Sequence, residues 1–394
     1  MDALQPLAGF RVLDFSLHLP GAFLTRVLAD LGAEVTKIEP PGGDPLRWVP
    51  PDVEGTGAAY AALNHGKSSL CVDLKKEAGR TLALELAAQA QVVVESFRPG
   101  VLKRLGLGFD ALESRSPRVV LCSITSYGQS GQQSGQAGHD INYMARSGLL
   151  TSPSTDEGSP RLPSYQAADI AGGGLWGVIG ILGALMERDA RGRGRHIDVA
   201  MAPRVAHLMI FETARRLAGL REIAGQGLLS GGLPCYGLYA TKDDRWMSLG
   251  ALGPKFFQLF CDVAGVPSLA FRGHDRGEEG RAVMAQLREV FRSRTQAQWI
   301  ELLDGRDCCC EPVLWPEEAA RDKGLDFGWR PLHGGAMGID TGFRSERVTL
   351  GGVSGLGEDA PQVISGWGLD EKYGKKAIET GALKEPSSKP GAIS

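Results

Sequence analysis

The run RVLDFSLHLPGAFLTRVLADLGAEVTKIE (11–39) decides the fold. Its first six residues form an apolar run of the buried-strand type. Leu24, Val27, Leu28 and Leu31 then recur at the spacing that lines one face of a helix over 21–33, and EVTKIE (34–39) returns to strand character. The alternation continues with strand SLCVDL (69–74), helix 76–89, strand QVVVES (91–96), a short helix near 99–105 and strand RVVLCSI (118–124). A helix of about ten residues between strands lets the second strand run parallel to the first, because a tight hairpin cannot make that reversal. The N-terminal half is therefore expected to be α/β: a Rossmann-like large domain with a parallel sheet.

The chain has 394 residues, more than one typical domain. GQGLLSGGLPCYG (225–237) is the glycine-rich break chosen as the boundary. The expectation is a large Rossmann-like domain over 1–224, completed by 326–394, and a smaller α+β domain over 225–325 with strands near 238 and 246 and helices 254–264, 280–294 and 296–304. The tail after 354 is rich in Gly, Pro, Ser and Lys, and its last fifteen residues are expected to be loosely held. No internal repeat is present.

A formal charge of −3 carries no basic footprint for nucleic acid. The seven cysteines are odd in number and lack CxxC spacing, and Cys308–Cys310 are consecutive, which excludes a zinc-ligand pattern. They are read as reduced thiols of a cytoplasmic protein with no metal, Cys308–Cys310 forming a buried structural stretch. The start has no basic segment followed by an apolar one, so no signal peptide is expected. GGGLWGVIGILGALM (172–186) is short and glycine-rich for a membrane span, and no membrane association is expected.

No phosphate-binding loop, HExxH or GxSxG motif occurs. Gly172, Gly174 and Gly177 match GxGxxG, but no hydrophobic strand precedes them, so no dinucleotide cofactor is expected. Asp169 precedes three glycines and an apolar helix. It is either a helix cap or a carboxylate nucleophile, bordered by residues without side chains so that a bulky activated ester can reach it. His139 in QAGHDINYM (136–144) is either a turn histidine or a proton-transfer group near neutrality. Asp140 is expected to cap a helix starting near Asn142. Lys37, Lys75, Arg98, Lys103 and Arg104 fall near strand ends; they are surface charge or the lining of a crevice for a polyphosphate ligand.

The segments LAGFRVLDFS, LPGAFLTRVLADLGAEVTKIEPPGGDP, NHGKSSLCVDLK, VVVESFRPGVLKRLGLG, SYGQSG, GHDINY, ADIAGGG and GLYATKDDRWMSLGALGPKFF resemble, in order, the family III CoA-transferase superfamily. That group includes formyl-CoA transferase, carnitine CoA-transferases and α-methylacyl-CoA racemase. The likeness runs from about residue 8 to about 315. It implies an interlocked homodimer and a substrate that is coenzyme A or an acyl-CoA, with no permanently bound cofactor and a small carboxylic acid as co-substrate. It also implies CoA contacts at Lys75, Ser96, Phe97, Arg98 and Arg104, with Gly138 beside the thioester and a glycine loop at Gly231 and Gly232 that closes over the intermediate.

Transferases of this group use an aspartate matching Asp169 as nucleophile. Racemases use the pair matching His139 and Asp169 to move the α-proton, with a glutamate supporting the histidine. Two departures stand out. Pro40 occupies a position where the family often has arginine, and Gly253 in GALGP (250–254) stands where the glutamate is expected. Since the nucleophilic aspartate needs no such partner, the leading expectation is an acyl-CoA:carboxylate CoA-transferase. A 2-methylacyl-CoA racemase and a non-catalytic CoA-binding partner subunit are the alternatives.

Overall fold

A computed structural model describes residues 4–151, 159–220, 226–322, 324–341 and 350–384. The chain divides into two compact units. One comprises residues 1–147, 165–208 and 324–394, and the other residues 148–164 and 209–323. The sequence boundary of 225 thus compares with a division at 208/209, and 148–164 also joins the smaller unit. Residue 225 itself lies outside the described residues.

The large unit is built on six strands: β1 (Arg11–Asp14), β2 (Glu34–Glu39), β3 (Ser68–Cys71), β4 (Val92–Glu95), β5 (Val120–Thr125) and β6 (Arg195–Ala200). All pairings are parallel, in the order 3-2-1-4-5-6. This is the doubly wound order, in which the chain turns outward in opposite directions from β1 and β4 and opens a crevice beyond their carboxyl ends. β4 and β5 are buried at every residue, as expected for strands covered on both faces, whereas edge strand β6 is largely exposed.

Helices α1 (His18–Asp30) and α2 (Glu77–Gln89) follow the first and third strands. Leu82 and Leu86 of α2 pack with Leu13, Val93 and Leu121 of the sheet. Trp367 and Ala377 of the C-terminal segment enter the same core. Of the last fifteen residues, Leu383 bridges Val72, and 385–394 lie outside the described residues.

The opposite face of the sheet carries α1 and a continuous helical run. That run begins as a π-helical turn, Ala168–Leu175, and continues as α4 (Trp176–Arg191), after the short helix α3 (Asp140–Arg146). The two packed helices run parallel. A Cβ on Gly174 would sit 2.7 Å from Phe23 Cδ1, and one on Gly177 would sit 2.2 Å from Leu24 Cδ1. The glycines that mimic a dinucleotide fingerprint therefore serve close helix packing. At 24 residues and mean hydropathy 1.5, Ala168–Arg191 is long and apolar enough to cross a membrane by length and composition, contrary to the estimate from 172–186 alone. Its packing on α1 and the sheet is that of a core helix, with Leu175, Ile179 and Met186 left exposed.

The smaller unit holds an antiparallel sheet in which β8 (Trp246–Gly250) lies between β7 (Tyr236–Ala240) and β9 (Cys310–Pro312). Helices Pro254–Ala264, Gly277–Arg292 and Gln296–Leu303 bury Phe257, Phe260, Phe291 and Trp299 against it. Strand β9 was not foreseen and takes in only Cys310 of the cysteine run, and the expected buried stretch is corrected at Cys309. Cys308 and Cys310 are buried, while Cys309 points outward with φ of 53°. No disulfide occurs among the described residues.

Candidate active site

Asp169 is the second residue of the π-helical turn. Such turns leave backbone groups without regular intrahelical partners and concentrate at functional sites. Here an acid answers them. Asp140 Oδ1 accepts the Asp169 N–H at 2.9 Å, and the Ala168 N–H also points to that carboxyl. This corrects the expected role of Asp140. Helix α3 starts at Asp140 itself, and the side chain turns back to cap the π-helical turn, 29 residues on. A negative charge there also suits the positive end of the helix.

Burial pushes the Asp169 carboxyl up to about 7, and the neighbouring Asp140 charge adds to the shift. No cation among the described residues pairs with it. Burial likewise raises Asp140, whose backbone hydrogen bonds partly oppose that. One of two crowded acids is thus held near the midpoint of its titration at neutral pH.

His139 is the N-cap residue of α3 and is exposed. Its backbone N–H donates to Asn142 Oδ1 at 3.0 Å. Because His139 adjoins Asp140, and Asp140 holds the Asp169 backbone, residues thirty apart in sequence are brought to one place. Gly138 belongs to the same cluster. Its carbonyl accepts from the Tyr143 hydroxyl, and a Cβ on it would lie 2.7 Å from the Tyr143 ring. Tyr143 also shares a 2.8 Å hydrogen bond with Ser126 Oγ. The sequence reading missed Asp140, Tyr143 and Ser126 as site residues, although GHDINY and SYGQSG contain all three.

Of the expected CoA positions, Lys75 follows the edge strand β3, and Ser96, Phe97, Arg98 and Arg104 follow β4. Ser96, just past β4, accepts the Leu17 N–H on its Oγ at 3.0 Å, which ties the ends of β1 and β4 together. Phe97 donates its N–H to buried Glu95 Oε2 at 2.6 Å. Lys75, Arg98 and Arg104 are exposed, and no carboxylate among the described residues pairs with them. Lys37 behaves differently and is removed from the crevice lining. It is 1% exposed, donates to Ser16 O at 2.7 Å and lies 3.1 Å from Asp44. Burial alone would lower its pKa, but Asp14, Asp44 and Glu39 outweigh that and hold it above the usual lysine value.

Gly231 and Gly232 lie in the smaller unit. Gly231 has φ of 98°, and a Cβ on Gly232 would sit 2.0 Å from Gln226 O, so both positions require glycine. Gly253 is the N-cap of helix Pro254–Ala264 in that same unit. The Pro40 carbonyl accepts from the Gly43 N–H in a turn after β2. No cluster of three or more His, Cys, Asp or Glu suited to a metal occurs among the described residues.

Residues 7–327 match the profile of CoA-transferase family III. The chain is 37% identical to α-methylacyl-CoA racemase of Mus musculus over 314 residues, covering 79% of each chain. It is 33% identical to succinyl-CoA:glutarate CoA-transferase of the same species, over 79% of this chain and 73% of the relative. A CAIB/BAIF family protein from Brucella suis superimposes with a TM-score of 0.81 at 26% identity, covering 93% of this chain and all of that one.

Proposed function

The chain belongs to CoA-transferase family III, and from that premise we propose that it is an acyl-CoA:carboxylate CoA-transferase with Asp169 as nucleophile. The observation that carries this reading is a half-buried carboxylate with a raised pKa, paired with no cation among the described residues and held by its own backbone at a helix start. Desolvation makes such a group a better nucleophile once ionised.

In this reading Asp169 Oδ attacks the thioester carbonyl carbon, the C–S bond breaks and CoA leaves as the thiolate. The mixed anhydride is then cut by that thiolate at the aspartyl carbonyl. This releases the donor carboxylate and leaves an aspartyl-CoA thioester. The acceptor carboxylate attacks that thioester to form a second anhydride, expelling the thiolate. Attack of the thiolate on the acceptor's acyl carbon gives the new acyl-CoA and restores Asp169. Backbone N–H groups near Gly138 stabilise the oxyanions.

Lys75, Arg98 and Arg104 provide positive charge for the phosphates of CoA, Ser96 and Phe97 shape the turn that receives it, and the departure at Pro40 removes one possible phosphate contact. A homodimer is part of the proposal, supported by the exposed apolar stripe Leu175, Ile179 and Met186 on α4 and the residue before it.

A second reading, 2-methylacyl-CoA racemization by His139 and Asp169, is favoured by their approach through Asp140. It lacks the supporting acid at position 253. The experiment is mass spectrometry after mixing with acyl-CoA and quenching with hydroxylamine. An Asp169 hydroxamate, absent in Asp169→Asn, is expected for transfer. Deuterium uptake at the α-carbon without an acceptor acid, lost in His139→Ala and without any adduct, sinks the transferase reading.

A further inference from the structure

The strand order reverses between β1 and β4, and a doubly wound sheet holds its ligand beyond the carboxyl ends of such strands. The residues just past β4 stand at that switch point. Ser96 Oγ accepts the Leu17 N–H past β1, and the Arg98 carbonyl accepts the Val101 N–H at 3.0 Å to close a turn. The Arg98 side chain is exposed, and no carboxylate among the described residues pairs with it. An open guanidinium on a tight turn suits a ligand that carries phosphates.

A buried acid supports this turn. Glu95, the last residue of β4, is 3% exposed, and its Oε2 accepts the Phe97 N–H at 2.6 Å, short for an amide donor. Ser123 stands in register with Glu95 on β5, and its hydroxyl donates to the same carboxyl. A hydroxyl has one proton, so Ser123 Oγ accepts from His196 Nε2–H, 2.9 Å away on β6. The line runs from the exposed His196, stacked on Phe109 at 5.8 Å, through Ser123 to Glu95 and the turn.

No cation among the described residues pairs with Glu95. Asp198, in register with Ser123, and Asp110, beside His196, are acids near this line, and burial keeps the neighbouring Cys122 thiol neutral. On the β1 side lies the apolar Phe15. The short helices Val101–Arg104 and Phe109–Arg115 turn Leu102 and Leu112 into the same core and leave Lys103, Arg104 and Arg115 exposed. Burial raises the Glu95 carboxyl to about 7 against its hydrogen bonds to Ser123 and Phe97, and the Asp198 charge adds to the rise.

We propose that Glu95 is a positioning residue for coenzyme A, its ionised carboxylate holding the Phe97 N–H, with Ser123 and His196 behind it, and so fixing the turn 96–98 that receives the ligand. The inference rests on the acyl-CoA reading and adds a residue that itself touches no part of the ligand. CoA binds more weakly once Glu95 takes up a proton, because a neutral carboxyl accepts the Phe97 N–H less strongly than a charged one.

The test is calorimetric titration with free coenzyme A from pH 6 to pH 9, on the parent, Glu95→Gln and Ser123→Ala. The ribose phosphate of CoA titrates near the lower end, equally for all three proteins. The quantity read is therefore Kd at pH 6 divided by Kd at pH 9 within each protein, in which a misfolded fraction cancels. That ratio is expected to be about fivefold larger in the parent than in Glu95→Gln. Ser123→Ala withdraws a donor from the ionised acid, so its transition moves to higher pH, which a packing defect alone would not do. In ligand-free protein labelled on phenylalanine nitrogen, the Phe97 amide resonance should titrate with the parent's midpoint and stay fixed in Glu95→Gln. Equal ratios in the parent and Glu95→Gln, or tighter binding at pH 6 in the parent alone, overturn the inference and leave the CoA reading standing. A parent whose Phe97 amide titrates but which binds no CoA at any pH overturns the CoA reading, and the positioning role with it.

Discussion

Glu39, at the end of β2, and Asp169, in the π-helical turn, are carboxylates of the same unit, the first fully buried and the second half-buried. Glu39 receives two 2.7 Å hydrogen bonds from Arg47, one of 2.6 Å from Ser69 Oγ, one from the Tyr60 hydroxyl and one from the Asp44 N–H. Burial raises its pKa, but Arg47 and the other donors outweigh burial and bring it down to about 2. Asp169 has burial and a second acid and no such donors, and it rises to about 7. A carboxylate whose lone pairs are all answered is part of the framework. One that the fold desolvates and leaves unanswered is available for chemistry.

Arg47→Met would test the structural side of this contrast. It leaves Glu39 buried without its cation, and loss of a buried partner costs roughly 3–5 kcal/mol, read as a lower denaturation midpoint in urea. The folded pKa of Glu39 is depressed, so its contribution is present above the usual glutamate value and is lost as pH falls toward about 2. The deficit of Arg47→Met should therefore shrink in acid. A deficit that stays constant down to pH 3 breaks the assignment.

Asp169→Asn should act in the opposite direction. The folded pKa of Asp169 is raised, so its ionisation destabilises the fold progressively as pH climbs from about 4 to about 7. Removing the charge should raise the thermal midpoint by about 2–4 °C at pH 8 and leave it unchanged at pH 4. A variant less stable than the parent at pH 8 would show that Asp169 is answered by a partner.

The smallest effect concerns Asp140. Single-turnover formation of the acyl adduct should increase with pH through about 7, as Asp169 ionises. Asp140→Asn can still accept the Asp169 N–H through its carbonyl and carries no charge. The profile should then move to lower pH by a few tenths to about one unit. An unmoved profile would leave burial as the sole cause of the shift.

Much of this was legible in the chain itself. The switch between short apolar runs and helical periodicity in 11–39 specifies strand, helix and strand, because strands covered on both faces are apolar throughout while the helix buries one face. The motifs around His139 and Asp169 were visible as residue types. Lys37 shows where local reading ends. It has the same charge and position at a strand end as Lys75, yet one is sealed among Asp14, Asp44 and Ser16 and the other faces solvent. Strand β9 was equally hidden, since three residues carry no period, and only pairing with Met247–Leu249 defines it.

Sequence alone determined the parallel α/β architecture and the motifs around His139 and Asp169, because those follow from patterns within a few turns of chain. Tertiary structure decided which carboxylate is answered by donors and which is left with a raised pKa. That choice depends on burial and on partners 8 to 307 residues away, such as Arg47 on Glu39, Asp140 on Asp169 and Ser354 on Arg47, and no local pattern encodes it.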